Sequence, residues 1–290
     1  MLLVCAVTDA SCLMRFFTRF TDEIFVVLIS VIFVSEALKD IHETFASPEF
    51  PLDSALLTLI LSLGTFMIAR GLRRAVNTPF LTRGFREFLS DFGPSISIVL
   101  MTMLALSFSE VKLEMPTVPP KLAPTVERSW LVDLFSVPTW VIAATLLPGM
   151  MAGILLFLDQ NITTRLVNSK DYMLKKGGGY HLDIAVVGLL VVVGSLFALP
   201  WIVAATVHSI NHVKSLSETE IVELDGERRE LIKGVRENRL SNLLIHLLMG
   251  ASLVLLDMIR VIPMPVLYGL FLYMGITSLV GNRFYERLML

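Results

Sequence analysis

Four ionisable side chains fall within or at the edges of long apolar runs: Glu36, Asp159, His208 and Asp257. Charge at membrane depth is costly, so each is a candidate functional group. Thr163 follows Asp159 by four residues, which places a carboxylate and a hydroxyl on one helix face. A hard cation such as Na⁺ takes oxygen ligands of this kind. The competing reading puts Asp159 at the end of its helix, reaching back to water. Around His208 the signal is a broken helix. Leu199-Pro200-Trp201 interrupts an apolar run, and small residues, Ala204 and Ala205, follow the break. A half-helix starting there aims free amide protons at an anion, and His208 one turn inside adds a proton or a charge. The plainer alternative is a proline kink with Ala204 and Ala205 packed against a neighbour. Glu36 and Asp257 also have a plain reading, as boundary residues or partners of Lys39 and Arg260.

The elements that must position these groups are apolar helices. The 290 residues are 54% hydrophobic and 17% charged, against about 45–50% and about 25% in soluble domains. Mean hydropathy is +0.72. The apolar residues gather in runs near the ~20-residue spanning length: 24–38, 54–69, 94–108, 140–158, 182–210, 243–258 and 266–280. Splitting 182–210 at Pro200 gives eight membrane segments, preceded by an apolar stub over 1–14 that is too short to span. The expectation is an all-α polytopic membrane protein.

Charge in the short loops sets orientation. Arg70, Arg73, Arg74, Arg83 and Arg86 crowd one loop, and Arg165, Lys170, Lys175 and Lys176 another. Both are expected in the cytoplasm, together with Arg15 and Arg19. Loops 41–53 and 110–138 are poor in basic residues and face out, the second stiffened by Pro116, Pro119, Pro120 and Pro124. Residues 214–240 alternate acidic and basic side chains. Ile221, Leu224, Leu231 and Val235 recur there at near-helical spacing, so the stretch reads as a cytoplasmic amphipathic linker.

Several classes are excluded. The net charge of −2 argues against nucleic acid, and two cysteines make no disulfide framework. Cys5 and Cys12 read as small hydrophobes of the stub. There is no phosphate-binding loop, no dinucleotide fingerprint and no zinc-ligand spacing. Gly177-Gly178-Gly179 lacks a following Lys-Ser and reads as a turn. Pairing Asp159 with Asp257 as an intramembrane hydrolase has no local support. Asn161-Ile162-Thr163 is a glycosylation sequon on the cytoplasmic side, where it goes unused. No enzyme chemistry and no resident cofactor is expected.

Longer stretches carry a resemblance. Phe157-Leu158-Asp159-Gln160-Asn161-Ile162-Thr163, the run from Met173 to Asp183 through Lys175-Lys176-Gly177-Gly178-Gly179-Tyr180-His181, and Leu199-Pro200-Trp201 with Val207-His208-Ser209-Ile210-Asn211-His212 are similar to the bicarbonate transporter family, the group of band 3 and the sodium–bicarbonate cotransporters. So are Ile262-Pro263-Met264-Pro265-Val266-Leu267-Tyr268-Gly269, Phe271-Leu272-Tyr273-Met274-Gly275 and Phe284-Tyr285-Glu286-Arg287-Leu288. Thr8-Asp9-Ala10-Ser11 and Thr18-Arg19-Phe20-Thr21 resemble the cotransporter branch, and Phe33 through Ala37-Leu38 resembles the family's pattern around Glu36.

The resemblance implies a fourteen-segment fold of two inverted repeats of seven, split into core and gate domains. Residues 1–290 would span about segments four to twelve, a partial transporter domain holding one wall of the substrate site. It implies secondary active transport of bicarbonate or carbonate by alternating access, in a multi-pass protein of the plasma membrane that is a homodimer at full length. Asp159 falls where the sodium-coupled members carry aspartate and the chloride exchangers glutamate. The resemblance therefore implies Na⁺ as coupling ion, held by Asp159 and Thr163, with the anion at the backbone of Ala205 and Thr206 beside His208. Glu36 is a further polar position of the family pattern. His208 replaces the arginine of band 3 and departs from the cotransporters too. A chloride/bicarbonate exchanger and a borate transporter are the alternatives within the class. A non-transporting scaffold or partner subunit is the alternative outside it.

Overall fold

The computed structural model describes residues 1–16, 19–118, 124, 126–133, 136–224, 227–280 and 282–289. Thr18, Pro119, Pro120 and Asp225, used in the sequence reading, lie outside that set, as do the side chains of Ile221, Leu224 and Leu231. In chain order the elements are α1 Leu2–Val7, a 3₁₀ helix Ala10–Phe16, α2 Arg19–Ala46, α3 Leu52–Arg74, α4 Arg83–Asp91, α5 Gly93–Ser107, α6 Thr139–Val167, α7 Tyr180–Leu196, α8 Thr206–Ser215, β1 Ser217–Leu224, β2 Glu227–Val235, α9 Leu240–Ala251, α10 Leu256–Ile259, α11 Met264–Leu279 and α12 Arg283–Leu288. Among the described residues α3 and the stretch from Thr139 to Tyr172 are long and apolar enough to cross a membrane, as is α4 with α5 if that bent pair counts as one span. Helices α7, α9 and α11 are shorter and apolar.

The chain forms two compact units. The first comprises Met1–Asp22 and Ala123–Asn242, the second Glu23–Leu122 and Leu243–Leu290.

In the second unit α3 packs against α5 and α11 around Leu57, Leu61, Met101, Ala105 and Val266. The face of α3 turned inward is lined with small polar residues: Ser54, Thr58, Ser62 and Thr65 are all buried. Small residues let backbones approach closely where lipid tails offer no hydrophobic drive for association. Ser62 donates from Oγ to the Pro265 carbonyl at 2.9 Å. A Cβ added at Gly269 would overlap the Ser62 carbonyl oxygen and lie 2.7 Å from Thr65 Cβ.

In the first unit α1 packs on α7, with Leu2, Phe157, Ile184 and Val187 as its buried cluster. Cys5 joins the edge of that cluster. Cys12 is exposed, so only one of the two cysteines packs as expected.

Several boundaries differ from the sequence reading. Helix α6 does not stop at Leu158 but runs on to Val167. The arginines assigned to one basic loop divide between helices, with Arg70, Arg73 and Arg74 on the last turns of α3 and Arg83 and Arg86 on α4. Helix α4 meets α5 at a 67° bend. The run 243–258 is broken between α9 and α10.

The architecture is not purely α-helical. Residues 217–235 form an antiparallel hairpin, with Ser217 opposite Val235 and Leu224 opposite Glu227. The amphipathic linker expected over 214–240 is therefore strand where helical spacing had been read. Asp225-Gly226, between the strands in the sequence, is a dipeptide favoured in two-residue hairpin loops. The alternating charges pair across the ladder, Lys233 with Glu220 at 3.4 Å and Arg236 with Glu218 at 3.2 Å.

Candidate functional site

The polarity of α6 is inverted along its length. Its first half exposes Trp140, Ile142, Leu146, Leu147, Met151 and Leu155, as a lipid-facing surface does. Its last turns bury Gln160, Asn161, Thr163 and Thr164 instead. Buried polar side chains need partners, and Gln160 and Thr163 find them at Ala204 and Thr206, where α8 begins.

That segment exists because α7 ends sharply. Ala198 has a φ of 46°, Leu199 N donates to the Gly194 carbonyl at 2.8 Å and Ala198 N to Ser195 at 3.1 Å. This is a Schellman stop, with a proline directly behind it to prevent the helix from resuming. Arg128 Nη2 donates to the Phe197 carbonyl at 3.0 Å, and Val132 N to Leu196 at 2.9 Å, satisfying carbonyls at the helix end. Trp201 Nε1 donates to Ser195 Oγ at 2.7 Å and folds the chain back. Residues 197–205 are thus non-helical, and the new helix α8 begins at Thr206.

Two bonds tie the start of α8 to α6. Ala204 N donates to Gln160 Oε1 at 2.9 Å, and the Thr163 and Thr206 hydroxyls are 2.7 Å apart, both buried. Gln160 Nε2 also reaches Thr164 Oγ1 at 3.4 Å. Asn161 is 1% exposed. Its Nδ2 donates to the Phe157 carbonyl at 2.8 Å, while its Oδ1 has no partner among the described residues. Ala205 caps α8 without any side-chain cap bond, so the first amide protons of this ten-residue helix keep no intrahelical partner. The result is an electropositive helix start beside two paired hydroxyls.

The sequence-selected residues distribute as follows. Thr163 and Thr206 meet directly, and Ala205 is the residue before α8. Asp159 is half-buried on α6, about two turns before the end of that helix, which removes the reading of it as a helix-terminal residue. No hydrogen bond or ion pair reaches its carboxylate among the described residues. His208 stands on α8 one turn in, with its side chain exposed. Glu36 belongs to the other unit, is exposed, and lies 4.0 Å from Lys39. Asp257 pairs with Arg260 at 3.2 Å, as its plain reading required. Gln160, whose side chain holds the Ala204 amide, is a residue that sequence reasoning passed over. Its signal was the polar-rich run 159–165 that follows the apolar half of α6.

Residues 1–52 and 46–290 match the model of the HCO₃⁻ transporter integral membrane domain. The chain belongs to this family. It is 34% identical to anion exchange protein 2 of Rattus norvegicus over 97% of its own length and 26% of that protein's. The human anion exchange protein 2 gives 34% over the same shares. Anion exchange protein 3 of Danio rerio gives 34% over 99% of this chain and 27% of the relative. The chain thus spans about a quarter of the length of these relatives. Family membership makes this an integral membrane transporter domain and confirms the resemblance read from 157–163, 173–183 and 199–212. The relatives' names give no support to sodium coupling, the leading expectation drawn from Asp159. They name anion exchange, which is one of the alternatives within the class.

Proposed function

We propose that the chain forms part of a membrane anion exchanger that carries bicarbonate against chloride by alternating access. The observation that carries this reading is the 34% identity to anion exchange proteins over 97% of the chain. The geometry supports it. An uncapped helix start stabilises an anion through free amide protons and the helix dipole, and at α8 it stands beside the Thr163–Thr206 pair. On this reading the anion docks at the backbone of Ala205 and Thr206, the two hydroxyls orient its oxygens, and exposed His208 adds positive charge when protonated. Gln160 holds Ala204 so that the helix start stays aimed. Assembly as a homodimer, residence in the plasma membrane, and the fourteen-segment core-and-gate architecture belong to the same proposal.

A second reading, sodium–bicarbonate or sodium–carbonate cotransport, is favoured by one observation. Asp159 is a half-buried carboxylate without a partner among the described residues, four residues from Thr163, as a Na⁺ ligand would be.

Reconstitution separates the two. The exchanger of which this chain forms part, in proteoliposomes loaded with chloride, should take up labelled bicarbonate, and replacing external sodium with a bulky organic cation should change nothing. Uptake that follows a sodium gradient and ignores internal chloride would establish cotransport. No uptake under either gradient would remove the transport reading from this chain.

A further inference from the structure

We propose that Arg128, in the loop before α6, is a positioning residue for the start of α8: it anchors the far end of a nearly extended tether, residues 198–203, that fixes where α8 begins. Arg128, the tether, α6, α7 and α8 all belong to the first unit. By loop charge residues 110–138 face out, so the start of α8 is held from the outer side. The consequence for transport rests on the reading that the anion docks at Ala205 and Thr206.

The outer anchor is made of carbonyls that α7 leaves open, since the last turn of a helix has acceptors without intrahelical donors. The Schellman turn satisfies Gly194 and Ser195 from within, and Val132 N donates to the Leu196 carbonyl at 2.9 Å. Arg128 takes the next two: Nη2 donates to the Phe197 carbonyl at 3.0 Å and reaches that of Ala198 at 3.5 Å. Its Nη1 donates to the Ser129 carbonyl at 3.1 Å, which fixes the fork. Among the described residues no carboxylate pairs with Arg128, so its charge stays available to the negative end of the α7 dipole.

The tether has almost no slack. Val203 packs against the cluster of Phe157, Ile184 and Val187. Val187 lies about 16 Å along α7 from Ala198, at about 1.5 Å per residue. The chain must return over that span between Ala198 and Val203, which even fully extended reaches at most about 18 Å. Trp201 Nε1 donates to Ser195 Oγ at 2.7 Å and pins the return against α7. Beyond it, Ala204 joins Gln160 and Thr206 joins Thr163, the inner anchor. A segment this close to full extension has few conformations left, and Pro200 removes more. It transmits position: a displacement of the outer anchor reaches Ala204 instead of being absorbed by a slack loop.

Hydrogen exchange on the full chain in nanodiscs reads the tether without any transport. Ala204 and Ser209 are the reporters, because their amides bond to Gln160 Oε1 and to the Ala205 carbonyl. Arg128→Gln should accelerate exchange at both about tenfold, while Val191 and Val192, in the body of α7, keep their rates. Arg128→Lys keeps the charge, loses the fork and should fall between; it carries the test if Arg128→Gln fails to insert. One glycine inserted between Ile202 and Val203 adds about 3.5 Å of slack and should give the same acceleration with Arg128 intact. In the exchanger of which this chain forms part, Arg128→Gln should raise the half-saturating bicarbonate concentration about tenfold and leave maximal flux within about twofold. Unchanged exchange at Ala204 and Ser209, in the Arg128 variants or in the insertion variant, overturns the proposal. So does acceleration that extends to Val191 and Val192, which is general destabilisation. Accelerated exchange at the two reporters with an unmoved half-saturating concentration upholds the tether and removes the anion from the start of α8.

Discussion

Thr163 Oγ1 on α6 and Thr206 Oγ1 at the start of α8 lie 2.7 Å apart, although 43 residues separate them in the chain. Each hydroxyl is buried, so removing one leaves the other without its partner. That asymmetry costs about 1–3 kcal/mol. Thr163→Val keeps the shape and deletes the hydrogen bond. It should lower bicarbonate flux about tenfold while the protein still inserts. Parallel flux and size-exclusion measurements on Thr163→Val and Thr206→Val check this, and undiminished flux in both would remove the pair from the site.

Gln160 offers a sharper separation of positioning from contact. Its Oε1 accepts the Ala204 amide and so fixes the approach of the chain to α8. Gln160→Glu retains an acceptor but brings a negative charge beside an anion path, whereas Gln160→Leu removes the acceptor. Both should reduce flux, and only Gln160→Glu should raise the half-saturating anion concentration. Equal effects of the two on that concentration would show that charge at this position does not reach the anion.

How much of this was open to sequence reading depends on what each signal reports. Hydropathy registers exposure to lipid. It therefore located the apolar half of α6 and stopped at Leu158, where the helix merely changes from a lipid-facing to a protein-facing surface. The break before α8 was legible because Pro200 is a backbone constraint. The stop itself lies at Ala198, in a left-handed conformation that alanine does not advertise. The hairpin was misread because Ile221, Leu224, Leu231 and Val235 also fit a helical period once Asp225-Gly226 is ignored. The bond from Ala204 to Gln160 spans 44 residues and joins a side chain to a backbone amide, a pairing without a sequence pattern. The cation expected at Asp159 came from its spacing to Thr163 and from resemblance to the sodium-coupled branch, whereas the relatives matched over the whole chain are anion exchange proteins.

Close approach of α3 and α11 depends on Gly269. An added methyl there meets the backbone of Ser62 and Thr65 Cβ at 2.7 Å, neither of which can rotate away. Gly269→Ala should cost about 1–3 kcal/mol through overpacking and lower the thermal midpoint in detergent. Gly71→Ala on the same α3 meets nothing within 4 Å and serves as the control. It should leave the midpoint unchanged or raise it slightly. Equal midpoints for the two variants would show that α3 and α11 do not pack this closely.

Glu237 fastens the stretch before α7 to the segment after the hairpin. Its Oε1 accepts the Lys175 amide at 2.7 Å and the Lys176 amide at 3.2 Å. Those backbone bonds, helped by the charges of Lys176 and Lys175, hold the carboxyl below its ordinary range. Because the folded-state value is depressed, the contribution is present above the unfolded carboxylate value near 4.5. It fades as pH falls through the lower folded value. Hydrogen exchange at the Lys175 and Lys176 amides should accelerate relative to neighbouring amides as pH drops through that window. Glu237→Gln should show fast exchange at both amides already at neutral pH, and protection that survives the substitution would show that other groups hold this stretch.

Ala198 closes α7 in a conformation that costs an L-residue about 1–2 kcal/mol and costs glycine nothing comparable. The bonds it supports, Leu199 N to Gly194 and Ala198 N to Ser195, are the Schellman pair that glycine most often completes. Ala198→Gly therefore relieves strain at the stop without moving it, although glycine gives back part of the gain through unfolded-chain entropy. The expected net effect is a stabilisation of about 0.5–1 kcal/mol, with flux unchanged because Pro200 still prevents helix from running into 197–205. Ala198→Val, β-branched at positive φ, should destabilise and lower flux by loosening the approach to Thr206. Thermal midpoints and bicarbonate uptake for the pair decide it. A valine variant as stable as the glycine variant would mean that α7 does not end in this turn.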